Sequence, residues 1–165
     1  MKPCWSISRI SWRLNGLWHD GDSRKRTRGY CSPDCRCWRC FLVELDKSDG
    51  ITPKEDDETR RKFFVVLGFD SEGNAYGGAI INSRINQLMS LVVKDYHMPI
   101  KSEKYSFLKY DSFVDCLQLK TAPLSKLSSG NYKGKMDPVD TELIIGTLKS
   151  SPREKPARLK KYGII

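Results

Sequence analysis

The longest unbroken run of large apolar side chains in this sequence, Phe63 to Leu67, has five residues. A helix that crosses a membrane needs roughly 20, so no membrane partner is expected. The start of the chain also lacks the apolar stretch of a secretory signal, because Lys2, Arg9 and Arg13 interrupt Met1 to Leu17. A cytoplasmic location is therefore expected. There is no internal repeat, and residues 1–36 sustain neither a two-residue nor a helical period.

Charge of one sign is missing from the middle of the chain. The net charge is +9, yet residues 41–150 sum to −1, while residues 1–40 sum to +6 and residues 151–165 to +4. Basic ends add sequence-independent affinity for phosphates. They do not make the balanced middle a reader of nucleic acid.

Cysteine is equally lopsided. Five of six lie in the first forty residues, four of them as Cys31, Cys35, Cys37 and Cys40. Zinc modules separate their Cys pairs so that the chain can turn between them. Four thiols packed within ten residues fit that poorly, so adventitious thiols are expected rather than a metal site. Residues 1–37 therefore read as an irregular, basic, Cys/Trp/Arg-rich extension. It is either disordered and non-native, added by an upstream start codon, or an accessory segment docked on the barrel.

Order is expected from Trp38. FLVEL, residues 41–45, reads as a short strand, and residues 46–59 as a long polar loop. RKFFVVLGF, residues 61–69, is the densest β-branched and aromatic run. Turn residues 70–74 lead to a returning strand over 75–83, with Gly77-Gly78 marking a bulge or close approach. Residues 96–101 read as a strand that Pro99 pushes to an edge. Residues 111–120 read as one strand or as two short ones with a kink; 123–127 as a helical turn; and 133–136 as a last strand. Asp137 as N-cap, Pro138 at the first helical position and Asp140 in the first turn predict a helix over 137–149. Val139, Leu143, Ile144 and Leu148 are its expected apolar face. The fold class is mostly β with α: a small barrel with a C-terminal helix, spanning 38–150, then a basic tail over 151–165 with one more short helix.

These segments, in this order, resemble the MazF/PemK family of toxin ribonucleases, in particular its PemK-like outer branch. FLVEL resembles the first strand, RRKFFVVLG a strand preceded by a basic residue, and DSEGN with GAIINS a hairpin into a strand ending in a hydroxyl. SFLKYDSFVDCLQLKTAPLSKL resembles the strand carrying spaced Lys, Ser, Val and Cys, and GKMDPVDTELIIGTL the closing turn and helix. The resemblance implies an SH3-like barrel, a homodimer and metal-independent cleavage of single-stranded RNA by 2′-hydroxyl attack. It implies no cofactor, and an antitoxin protein as a further partner.

Carried across, the family's cationic role falls on Arg61 and its hydroxyl role on Ser83, as catalytic candidates. Arg60, Lys62 and Asn82 are the substrate-binding candidates. An Arg suits a phosphate because its planar fork holds two oxygens. Loop 46–59 corresponds to the family's loop over the RNA channel. The acids Glu55 to Glu58 in that loop, and Lys62 where the family has Pro, motivate the alternative of an inactive module that binds nucleic acid or a protein. His97 is an acid–base candidate by residue type, but its lone position reads better as a surface histidine. Tyr105, Phe107 and Tyr110 are base-stacking candidates that read better as packing.

Overall fold

A computed structural model describes residues 38–52, 57–72, 75–127 and 131–165. The extension over 1–37, and with it three of the four clustered cysteines, lies outside the described residues. The chain folds as mostly β with helices at its C-terminal end. The strands are β1 (Arg39–Leu45), β2 (Arg60–Phe69), β3 (Ala75–Asn82), β4 (His97–Ile100), β5 (Ser112–Pro123) and β6 (Tyr132–Lys135). The helices are α1 (Leu91–Lys94), α2 (Pro138–Ser150) and α3 (Pro156–Lys161). All pairings are antiparallel, in the order β4-β5-β3-β2-β1-β6. Pro99 does sit on an edge strand, where its missing N–H costs no ladder bond.

Strand alternation gives the sheet two apolar faces. On one, Cys40, Val65, Leu67, Ala79, Ile81, Val114 and Cys116 meet Ile144 and Leu148 of α2 and Leu159 of α3. On the other, Phe41, Val43, Leu45, Phe64, Val66 and Ile80 are closed over by Ile51, Ala122 and Leu127. Register shifts in the β2–β3 and β3–β5 ladders bend the sheet. The second lies beside Gly78, where an added Cβ would come within 2.2 Å of the Val65 carbonyl oxygen. The kink expected in residues 111–120 is this bulge within one continuous β5 of 12 residues.

α2 begins as its sequence dictates. Asp137 caps it, its Oδ1 accepting the Val139 N–H at 2.9 Å. Its buried face, however, is Thr141, Ile144 and Leu148, while Val139 and Leu143 stay 63% and 55% exposed. Thr141 takes a core position because its hydroxyl bonds the Asp137 carbonyl at 2.9 Å, leaving its methyl group for packing. Burying Ile144 and Leu148 contributes roughly 1.5–3 kcal/mol each.

The segment after α2 keeps Arg153, Lys155, Lys160 and Lys161 outward, turns Arg158 in toward β5, and sends Leu159, Tyr162 and Ile164 into the core. His97 is buried rather than superficial. Its Nδ1 lies 3.0 Å from the Val93 carbonyl oxygen, so the ring closes the end of α1 against the edge strand.

Candidate functional site

Beyond the end of the α2-covered core, the same sheet face opens into a cleft of about 300 Å³. The two-residue period explains its floor. Phe63 and Ile81 pair across β2 and β3 and follow Val65 and Ala79 along that face. Two residues further out along β2, Arg61 lines the cleft, and Ser83, just past the end of β3, lines it too. Leu42 of β1 continues the row.

Lys62 and Asn82 occupy the intervening positions, so their side chains leave from the opposite face. There Lys62 Nζ donates to Asn82 Oδ1 at 2.6 Å. Lys62 still borders the cleft, whereas Asn82 is not among its lining residues. Arg60 also points away, its guanidinium donating to the Thr52 carbonyl at 3.3 Å. Of the five sequence candidates, then, Arg61 and Ser83 line the cleft, Lys62 borders it with its ammonium turned to Asn82, and Asn82 and Arg60 lie outside it.

The opposite wall comes from the segment between β4 and β5: Phe107, Leu108, Lys109 and Tyr110, with Ser112 at its foot. Two anchors hold this wall. Asp111 accepts from Lys101 Nζ at 2.7 Å and from the Ser102 N–H and hydroxyl at 3.0 Å, clasping the two ends of the loop. The Lys101 ammonium, then the two Ser102 donors, hold the Asp111 carboxyl down at about 2. At the other anchor, the Tyr105 hydroxyl donates to Asp140 and accepts the Asp137 N–H at 3.1 Å. Lys104 lies 3.0 Å from Asp140 as well. Burial first, and the Asp140 hydrogen bond second, push the Tyr105 phenol well above its ordinary range.

The three aromatics flagged in the sequence thus separate. Tyr105 is buried and structural. Phe107 is half-buried, its ring tilted against those of Phe63 and Tyr105 with centroids 5.5 Å from each. Gly134 of β6 makes room for it, since a Cβ there would lie 2.9 Å from the Phe107 ring. Tyr110 is 69% exposed at the rim. Lys109 is a further cleft cation; the sequence resemblance includes it as the Lys of the strand motif but assigns it no role at the site.

The base of loop 46–59 is tied down from the helical turn that follows β5, Leu124–Lys126. Lys126 Nζ reaches Asp46 at 2.9 Å and the buried Asp49 at 2.5 Å. Residues 53–56 of that loop lie outside the described residues, as do two of its four consecutive acids. Cys40 is buried in β1 with its thiol pushed up to about 12 by burial, and Cys116 likewise in β5. Both are core side chains. Among the described residues, no group of three metal-ligating side chains converges, and no helix is long and apolar enough to cross a membrane.

No family model and no curated protein matches the chain. Among solved structures it is similar to the Mycobacterium tuberculosis toxin MazF-mt6, at a TM-score of 0.46 and 14% identity, over 67% of this chain and 91% of that chain.

Proposed function

We propose that the chain is an endoribonuclease of the toxin–antitoxin type, cutting single-stranded RNA without a metal. The observation that carries this reading is the convergence of Arg61 and Ser83, the two residues marked by the sequence resemblance, on one cleft with an aromatic wall. In this mechanism the ribose 2′-oxygen attacks the adjacent phosphorus, the bond to the 5′-oxygen of the next nucleotide breaks, and a cyclic phosphate remains. Arg61 holds the phosphoryl oxygens as negative charge builds on them. Ser83 hydrogen-bonds the reacting oxygens and relays a proton between them. The unit that acts is residues 38–150 with α3 packed against it, as a homodimer in the cytoplasm with an antitoxin as its inhibitor. Incubation with single-stranded RNA in EDTA tests the reading. Cleavage that falls at least about 100-fold in Arg61→Ala is expected for loss of a transition-state cation. Equal behaviour of wild type and Arg61→Ala overturns it.

A second reading has one observation in its favour. The described lining offers Arg, Lys and Ser but neither carboxylate nor imidazole, the usual proton carriers near neutral pH. A module that binds single-stranded RNA and leaves it intact fits that chemistry. Salt-sensitive binding with no cleavage product distinguishes it.

A further inference from the structure

We propose that Tyr110 is a base-stacking residue that makes the cleft selective for an unpaired nucleobase, with Phe107 as the fixed wall beside it. This deepens the reading of the cleft as an RNA site and rests on it.

The chemistry of the cleft is divided. Arg61 and Lys109 supply positive charge, while Leu42, Phe63 and Ile81 supply an apolar floor. A nucleotide is divided in the same way, into an anionic phosphate and a flat base whose faces are poorly hydrated. The volume of about 300 Å³ is at the small end of ligand-sized cavities. That size matches one nucleotide rather than a base pair.

The two rings of the wall differ in freedom. Phe107 is locked between Phe63, Tyr105 and the space left by Gly134. Tyr110 presents its ring to solvent, yet its backbone is fixed. Its carbonyl accepts from the Ser112 hydroxyl at 2.8 Å, and the next residue, Asp111, clasps Lys101 and Ser102. A rigidly mounted, exposed aromatic loses little entropy when a base stacks on it. Stacking of this kind tolerates any base, because every base has a π face.

The test is fluorescence anisotropy with the full chain at low salt. The probes are a labelled single-stranded RNA of about twenty nucleotides, the same RNA as a duplex, and an abasic strand of equal length. Tyr110→Ala is expected to weaken single-strand binding by about 5- to 100-fold. Tyr110→Phe and Tyr110→Trp are expected to bind as wild type, and the abasic strand to bind wild type and Tyr110→Ala alike. Unchanged single-strand binding by Tyr110→Ala, or an equal loss on the abasic strand, overturns the proposal. Cleavage followed in the same samples separates the two readings. Loss of cleavage in Arg61→Ala with unchanged binding by Tyr110→Ala leaves the nuclease standing and sinks the stacking role. Base-dependent binding through Tyr110 without any cleavage does the reverse.

Discussion

Glu154 Oε2 accepts the backbone N–H of Leu119 at 2.6 Å, across 35 residues of chain. One helical turn later, Arg158 Nη2 donates to the carbonyl of the same Leu119 at 2.9 Å. The C-terminal segment therefore answers both backbone groups of a β5 residue, as a neighbouring strand would. The side chain of Glu154 is only 1% exposed, so its carboxylate is tolerated because N–H donors and Arg158 surround it.

Replacing Glu154 with Ala leaves a buried N–H without an acceptor. A loss of about 1–3 kcal/mol is expected, read as a lower urea midpoint. Glu154→Gln keeps an acceptor oxygen and is expected to lose less. Equal losses for the two variants would mean that bulk, not hydrogen bonding, holds this segment.

Glycine positions give a paired prediction. A Cβ on Gly68 would sit 2.0 Å from the Tyr162 carbonyl oxygen, whereas one on Gly146 meets nothing within 4 Å. Gly68→Ala is expected to dislodge α3 and speed proteolysis at the basic residues 158–161. Gly146→Ala, in the middle of α2, is expected to stabilise by about 0.5–1 kcal/mol, a small rise in thermal midpoint.

Asn82 and Ser83 are adjacent in sequence and have opposite expectations. Asn82→Ala removes the partner of Lys62 outside the cleft, for a loss of about 1 kcal/mol in stability. RNA affinity is expected to change by less than about twofold. Ser83→Ala is expected to leave stability nearly untouched and to lower cleavage. Calorimetry and a cleavage assay on both variants check the contrast.

Acid acts on the aromatic wall. The Asp111 carboxyl is depressed from 3.8 to about 2, so its protonation is less favourable in the folded chain. Its stabilising contribution is complete above 3.8 and disappears as the pH falls toward 2. Loosening of loop 101–111 is expected in that window, detectable as an earlier change in Tyr and Phe signals than in the sheet. Asp111→Asn is expected to remove the pH step and to show the loosened loop at neutral pH.

Much of this fold was legible because its signals are local. Asp137-Pro138 announced α2, Pro99 an edge, and the β-branched run after Arg61 the central strand. Positions set by long-range packing were not legible. Val139 and Leu143 match a helical stripe with Ile144 and Leu148, but α2 rotates so that Thr141 takes the core. His97 looked superficial because its partner, the Val93 carbonyl, is a backbone group that no side-chain pattern reveals. Leu159, Tyr162 and Ile164 are interleaved with cations, so their segment read as a tail. At the cleft, Arg61 and Ser83 were marked by the resemblance alone, and both line it. Lys109 belongs to the resembling strand segment, but nothing in that pattern says that it lines the cleft.

The docking of α3 also has a consequence in time. Gly68 and Gly77 both lie against Tyr162, and these contacts join residues far apart in sequence. While the ribosome is still making the chain, the strands emerge first, and the groove along these glycines stays open until α3 leaves the exit tunnel. The sheet must therefore wait, with apolar surface uncovered, for a late-made segment. During that interval the nascent chain is most exposed to aggregation.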